Sequence, residues 1–211
     1  MSLNVLGMTR GVLHSCQNID RTVTLYRAAK RSDRTLIIDL YTADVLDSVS
    51  IGTRLPRAGS PNLKVVITGK LQAAYRRLGR EEFVERMVPF GVAAQKLVGG
   101  RDVIMLRSAL VPDYERAGVL PDEGDAYNFS MWKGYLLDPY HSAALDWCKN
   151  RGTEIAYIHT SGHASAADLR AFSAAMQPKV VIPVHGANWD SQAHRFANIR
   201  RLSDAEQFAI R

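Results

Sequence analysis

The chain has 211 residues, of which 46% are hydrophobic and 23% are charged, an ordinary balance for a soluble globular protein. No apolar stretch approaches the length of a bilayer span, and Arg10 interrupts the modestly apolar N-terminus, so neither a membrane helix nor a secretion signal is expected. The two cysteines have no CxxC spacing, which favours a reducing, cytoplasmic location over a disulfide framework. The formal net charge of +6 favours polyanionic partners, although a generic basic protein carries a similar charge.

The first predicted elements are a strand at Gly11–Ser15 and a helix from Ile19 to Lys30, joined by a short polar turn. The turn contributes Ser15, Gln17 and Asn18. Because the free N–H groups of a helix N-terminus bind anions, these three side chains are candidate phosphate or ribose contacts. The alternative is that Asn18 only caps the helix.

The middle of the chain continues the alternation of strands and helices. Further strands are predicted at Leu36–Leu40, Leu63–Thr68, Val103–Arg107 and Ala126–Trp132. Helices are predicted at Leu71–Leu78, at Glu81–Val98 with a break at Pro89, and at His141–Asn150. This alternation predicts an α/β fold with a mostly parallel sheet flanked by helices.

Several side chains in this region have two possible roles. Asp39 ends a predicted strand and serves either chemistry or the capping of the next helix. Trp132 is predicted to be buried in the core, while the alternative is that Trp132, Lys133 and Tyr135 bind a single strand by stacking and phosphate contact. Basic residues cluster near the ends of two predicted helices, where they favour a polyanion or simply complement the helix dipole: Arg27, Lys30, Arg31 and Arg34, and Lys70, Arg76, Arg77 and Arg80.

Near the C-terminus, two apolar runs flank a helical stretch. The runs Ile155–Ile158 and Val180–Val184 are predicted strands, and Ser165–Met176 is the helix between them. Such a unit has parallel strands whose carboxyl ends meet at one edge of the sheet, where ligands bind.

Three histidines follow these runs, in His159-Thr-Ser-Gly-His163 and in Pro183-Val-His185-Gly186. We therefore expect them to face one cleft, where imidazoles serve as metal ligands or as acids and bases. The alternative is that they are loop histidines bonded to nearby carbonyls. A catalytic zinc site needs about three protein ligands, and the chain lacks a His-x-His-x-Asp-His cluster, so the sequence alone is short of metal ligands.

These two histidine motifs resemble the C-terminal signature of β-CASP metallo-β-lactamase-fold nucleases, the ribonuclease J group and its relatives. Three further segments resemble the β-CASP insert more weakly: Val12 to Arg21, Arg34 to Ala43, and Ser130 to Tyr135. The resemblance runs over roughly residues 8 to 190. It implies a β-CASP-like α/β domain over residues 1–150 and a C-terminal metallo-β-lactamase-fold segment over residues 151–211.

The resemblance also implies roles for individual residues. In that family the residue matching His163 is a catalytic acid or a phosphate-contacting histidine, and the residue matching His185 is a metal ligand. The residues matching His159 and Ser161 lie near the RNA phosphate. Gly162, which permits close backbone approach, belongs to the same predicted RNA-contacting loop.

The chain departs from the family because the half that carries most metal ligands is not in this sequence. We therefore expect the RNA-binding and C-terminal catalytic portion of a zinc-dependent ribonuclease, inactive alone, with zinc bound in the complete enzyme. The expected partners are single-stranded RNA and either a metallo-β-lactamase-fold half supplied in trans or a second copy. Two alternatives remain: a non-catalytic module that binds nucleic acid or docks a partner, and an unrelated Rossmann-like enzyme, which the absence of Gly-x-Gly-x-x-Gly disfavours.

Overall fold

The computed structural model describes residues 10–159, 164–184 and 195–209. The chain divides into two compact units, Met1–Thr160 and Ser161–Arg211. Whether these correspond to a β-CASP domain and a lactamase-fold segment stays a prediction. Within the described residues, no helix is both long and apolar enough to cross a membrane.

The first unit is built on a parallel sheet. Its strands are β1 (Arg10–Leu13), β2 (Leu36–Asp39), β3 (Leu63–Val66), β4 (Gly91–Val92), β5 (Val103–Met105), β6 (Ala126–Phe129) and β7 (Glu154–Tyr157). They pair in the order β4-β3-β2-β5-β1-β6-β7, and every pairing is parallel. The predicted α/β class with a mostly parallel sheet flanked by helices is therefore confirmed.

Helices connect the strands. They are α1 (Ile19–Arg31), α2 (Leu40–Ser50), α3 (Gly69–Arg77), α4 (Glu81–Met87), α5 (Val111–Arg116) and α6 (Pro139–Lys149). Short 3-10 helices lie at Val88–Phe90, Ala94–Leu97, Ser108–Leu110 and Lys133–Leu137. The second unit contains α7 (Ala166–Met176), which begins with a capping box between Ser165 and Asp168.

Each face of the sheet carries its own hydrophobic core. On one face, α1 to α4 pack on strand residues such as Val12, Ile38 and Val65. On the other face, α5 and α6 pack on residues such as Ile104 and Tyr127. Helices on both faces explain why all four residues of β2 are buried and why its first three, Leu36 to Ile38, are apolar without alternation.

Two predicted elements were wrong in extent. The helix predicted over Glu81–Val98 with a break at Pro89 does end before that proline, at Met87, because Pro89 lacks the N–H that a helix interior requires; the part predicted to continue beyond Pro89 is not an α-helix, and β4 follows. The strand predicted at Val180–Val184 is reduced, within the described residues, to a single bridge between Val181 and Ile199. Pro183 explains this in part, since it cannot donate a ladder hydrogen bond in the middle of that run.

Candidate nucleic-acid interface

The carboxyl ends of five strands bring polar side chains to one edge of the sheet. Because all pairings are parallel, the residues that follow β1, β2, β5, β6 and β7 meet there. The side chains concerned are His14, Ser15, Asp39, Arg107, Ser130 and His159. This edge is where the sequence predicted phosphate contacts.

The turn between β1 and α1 exposes the three predicted contacts Ser15, Gln17 and Asn18. The Asn18 Oδ1 atom accepts a hydrogen bond from the Arg21 backbone N–H at 3.0 Å, so this side chain caps α1. Capping engages one oxygen and leaves the Ser15 hydroxyl and the Gln17 amide in solvent. A role for all three in phosphate binding stays a prediction.

His14 directly follows β1 and was not among the predicted site residues. Its Nδ1 atom donates to the Ser15 carbonyl at 2.8 Å, and its buried Nε2 atom has no partner among the described residues. Burial lowers the pKa of His14 to about 4, and the charges of Arg107 and Arg21 act in the same direction against the Ser15 hydrogen bond. The imidazole is therefore neutral near pH 7 and keeps a free acceptor nitrogen.

Arg107 and Asp39 form an ion pair between the ends of β5 and β2. The Asp39 carboxylate is fully buried, accepts the Arg107 Nε–H, and caps α2 by accepting the Thr42 N–H at 2.7 Å. Burial disfavours the charge on Arg107, but Asp39 holds the pKa of the guanidinium above its usual value. Asp39 therefore fulfils the capping role that the sequence left open, and Arg107 stays a cation at the sheet edge.

Arg21, in the first turn of α1, hydrogen-bonds to the residues that follow β6 and β7. Its guanidinium donates to the Ser130 hydroxyl and, at 3.1 Å, to the Ile158 carbonyl. Next to this network, the exposed His159 ring lies with Nδ1 3.4 Å from the Ser130 carbonyl oxygen. His159 is thus the predicted histidine that the structure brings to this edge.

A cleft of about 260 Å³ opens beside these groups. Its lining includes His14, Ser15, Gln17, Arg107 and His141. A cation, hydroxyl and amide groups, and imidazoles together suit the oxygen atoms of a phosphate or a sugar.

Exposed aromatic rings continue from this cleft, contrary to the predicted burial of Trp132. That side chain is 65% exposed. Trp132 packs edge-on against Tyr135 with ring centroids 5.9 Å apart, and Tyr135 lies 5.1 Å from the His141 ring that lines the cleft. We call Trp132, Tyr135 and His141 the aromatic strip.

Gly134 leaves room for the indole ring of Trp132 to pack closely over the backbone. A Cβ atom at this position would be only 2.1 Å from the Trp132 ring, so the ring occupies space that only glycine leaves open. Sequence reasoning had treated tryptophan as a core residue and overlooked this close approach. Beside the strip, the Lys133 ammonium lies 4.3 Å from the centroid of the Tyr157 ring, which is 45% exposed.

The predicted basic clusters are partly used for structure. Arg34 is buried and donates to the Arg101 carbonyl at 3.0 Å, and Arg80 pairs with Asp44. Arg27, Lys30 and Arg31 remain exposed at the C-terminal end of α1. These three residues are therefore at the opposite end of α1 from the cleft.

Four of the predicted site residues fall outside the described part of the chain: Ser161, Gly162, His163 and His185. Their proposed roles therefore stay predictions. Across residues 10–159, 164–184 and 195–209, no group of three or more His, Cys, Asp or Glu side chains is arranged to hold a metal ion. The described residues alone do not supply a zinc site.

Comparison with solved structures shows the fold. The chain matches the crystal structure of a protein of unknown function from Enterococcus faecalis V583, with a TM-score of 0.58 and 16% sequence identity. The match covers 93% of this chain and 39% of that one, so the chain spans well under half of the length of that protein. A comparison with curated proteins gave no match.

Comparison with protein families gives a match for the C-terminal region. Residues 150–200 match RMMBL, the Zn-dependent metallo-hydrolase RNA specificity domain. That range includes β7, His159 and α7. This region of the chain is thus similar to the RNA specificity domain of zinc-dependent metallo-hydrolases.

Proposed function

We propose that this chain is the RNA-binding and C-terminal catalytic portion of a zinc-dependent β-CASP ribonuclease that hydrolyses phosphodiester bonds. The similarity of residues 150–200 to an RNA specificity domain supports the choice of RNA. The aromatic strip beside a polar cleft that Arg107 lines is the structural observation that carries the proposal.

In this proposal, single-stranded RNA crosses the carboxyl edge of the sheet. Successive bases stack on Trp132 and Tyr135, since any base can stack on an exposed aromatic face. The neighbouring phosphates reach the cleft, where Arg107 supplies charge and where Ser15 and Gln17 supply hydrogen bonds. Lys133 adds a phosphate contact beside the strip.

Catalysis belongs to the complete enzyme in this proposal. There, zinc would supply a metal-activated hydroxide, with His185 among its ligands. His163 protonates the leaving oxygen or contacts the phosphate, and His159 and Ser161 hydrogen-bond to the phosphate. If replacing His163 with alanine in the complete enzyme leaves turnover unchanged, the role of His163 is wrong.

The binding half of the proposal can be tested on the chain itself. We expect Trp132→Ala to weaken binding of a short 5′-labelled oligouridylate roughly 5- to 150-fold, because one stacked base contributes about 1–3 kcal/mol. The measurement is fluorescence anisotropy at about 50 mM salt, where phosphate contacts are strong.

Trp147→Phe is the matched control. Trp147 lies on α6, and its indole N–H donates to Glu115 at 2.7 Å, away from the strip. The Trp147→Phe variant should bind the oligouridylate as tightly as the unchanged chain does. Equal affinities for Trp132→Ala and Trp147→Phe would remove the stacking role.

Docking to a metallo-β-lactamase-fold half is a second candidate role, and α7 favours it. Leu169, Phe172 and Met176 recur at spacings of three and four, so they share one helix face, and all three are exposed. An exposed apolar face of this kind is typical of a surface that another protein covers.

Phe172→Ser tests this second role. Its side chain is 66% exposed, so the substitution should leave the fold intact while it weakens capture of a purified lactamase-fold half. Analytical ultracentrifugation of the chain alone tests whether a second copy of the chain covers this face instead. Self-association that Phe172→Ser abolishes would indicate a second copy instead.

A further inference from the structure

The regular pairing of β6 with β7 ends two residues before His159. The last pair in this ladder is Phe129 with Tyr157, and the chain continues through Ile158 to His159. Beyond that pair, side chains rather than strand partners hold the backbone at Ile158.

Both peptide groups that flank Ile158 are hydrogen-bonded to side chains. The Ile158 N–H donates to Oδ1 of Asn128 at 2.9 Å. The Ile158 carbonyl accepts from the Ser130 hydroxyl and, at 3.1 Å, from the Arg21 guanidinium, so two donors share this oxygen. We call the three side chains of Arg21, Asn128 and Ser130 the peptide clamp.

The members of the peptide clamp also support one another. The Arg21 guanidinium donates to the Ser130 hydroxyl, which in turn donates to the Ile158 carbonyl. Asn128 and Ser130 are only 8% and 5% exposed, and hydrogen bonds are stronger where water is largely excluded. The peptide that joins Ile158 to His159 is therefore held in one orientation.

Stabilisation of α1 does not explain the position of Arg21. This residue lies in the first turn of the helix, where the positive end of the helix dipole disfavours a cation. Its guanidinium instead contacts Ser130 and Ile158, which lie 109 and 137 residues further along the chain. The contacts of Arg21 thus serve the region in front of His159.

The His159 ring is set against the backbone of a clamp residue. Its Nδ1 atom lies 3.4 Å from the carbonyl oxygen of Ser130. A carbonyl oxygen only accepts hydrogen bonds, so Nδ1 carries the proton. The ring is exposed, which leaves Nε2 as the nitrogen that a ligand can reach.

We propose that Arg21, Asn128 and Ser130 are positioning residues for His159. By fixing the peptide that precedes His159, they hold the neutral ring in its Nδ1–H form and keep Nε2 available to the substrate. The inference rests on the proposed function, in which His159 hydrogen-bonds to an RNA phosphate. Because phosphate oxygens accept hydrogen bonds, the charged ring makes this contact, since both of its nitrogens then carry a proton.

NMR of the full chain labelled with ¹⁵N-histidine reads the imidazole tautomer directly, at alkaline pH where imidazoles are neutral. The spectrum of His159→Gln identifies the His159 signals. We expect the Nδ1–H pattern in the unchanged chain. Arg21→Gln and Ser130→Ala should shift His159 towards the Nε2–H form that free histidine prefers. Arg21→Lys, which keeps a charged donor, should retain more of the Nδ1–H form than Arg21→Gln.

Arg27→Gln is the matched control, because it removes the same charge from an exposed position on the same helix. It should leave the His159 signals unchanged. Arg21 is only partly buried, so Arg21→Gln keeps the test available even if Ser130→Ala does not fold. The proposal is overturned if the unchanged chain shows the Nε2–H pattern, or if neither Arg21→Gln nor Ser130→Ala alters the Nδ1–H pattern.

Oligouridylate binding by Ser130→Ala separates this inference from the proposed function. We expect the affinity to fall roughly 2- to 12-fold, the range for one hydrogen bond. The NMR measurement needs no RNA, so it stands by itself. A tautomer shift with unchanged affinity would support the peptide clamp and remove His159 from the RNA site.

Discussion

The buried imidazole of His14 should make the stability of the protein depend on pH. Burial lowers its pKa in the folded state to about 4, below the usual 6.5, so between these values only the unfolded chain binds the proton. The free energy of unfolding then rises with pH by up to about 1.4 kcal/mol per unit across this window, and this contribution is fully present above pH 6.5. Denaturant unfolding at a series of pH values measures it.

His14→Asn is the comparison variant. The asparagine amide can still donate to the Ser15 carbonyl but does not titrate. Between pH 4 and 6.5, the free energy of unfolding should therefore increase less in this variant. The difference from the unchanged chain is the contribution of His14. An unchanged slope would mean that other groups cause the pH dependence.

The Arg107–Asp39 pair should be sensitive to the loss of one partner. Arg107→Met leaves the fully buried Asp39 carboxylate without its counter-charge, and we expect a loss of about 3–5 kcal/mol in the free energy of unfolding. Adding Asp39→Asn should recover most of this loss, since asparagine is neutral and still caps α2. Chemical denaturation of the two variants checks it, and a further loss in the double variant would contradict the reason given.

At the scale of single residues, local chemistry was predictable and long-range contact was not. The capping roles of Asn18 and Asp39 follow from residue type and position along the chain. The close approach of the Trp132 ring to Gly134 is local and was overlooked, whereas the burial of His14 involves residues distant in sequence, since Asp39 and Arg107 lie near enough to affect its pKa. The burial of His14 has no signal in a single sequence, and this residue lay inside the strand predicted at Gly11–Ser15.

At the scale of the element, the turn between β1 and α1 allows capping and RNA contact to be separated. Asn18→Asp keeps an oxygen that accepts the Arg21 N–H, and its negative charge suits a helix N-terminus. The same charge would repel a phosphate. We therefore expect unchanged or slightly higher stability together with weaker binding of oligouridylate.

Asn18→Ser is the neutral control for this pair of measurements, because serine also caps helices. It should keep both stability and RNA affinity near their original values. If Asn18→Asp binds oligouridylate as well as Asn18→Ser does, no phosphate lies near this turn.

Elements with one strong pattern were predicted well, and those interrupted by proline were not. Helix α1 and the buried strand β2 lie within one residue of their predicted ends, because apolar spacing alone defines them. The region after Met87 and the run Val180–Val184 each contain a proline, and what replaces the regular element there depends on tertiary contacts.

At the scale of the whole molecule, the distribution of the positive charge should decide which basic residues matter for RNA. Arg27, Lys30 and Arg31 lie towards the far end of α1, about 12–18 Å along the helix from its N-terminus at the cleft. Salt at about 0.15 M screens charges beyond about 8 Å. Replacing all three with glutamine should therefore change oligouridylate affinity little at this salt concentration.

Lys133→Gln removes only one charge, next to the aromatic strip. We expect it to weaken binding more than the triple replacement and to reduce the slope of log affinity against log salt by about 0.7. A salt titration of both variants measures these effects. A larger loss in the triple variant would locate the RNA on the other side of the first unit.

The position of β1 in the sheet has a consequence for how the protein is made. Its sheet neighbours are β5 and β6, which follow on the order of 100 residues later in the chain. At about 5–20 residues per second, a ribosome needs roughly 5–20 s to synthesise that length. During this time β2 and β3 can already pair. The backbone N–H and C=O groups of β1 stay unpaired, because β5 and β6 have not yet been synthesised. The pairing of β1 is therefore a late event, and newly made chains should depend on protection from aggregation at least until Phe129 has left the ribosome.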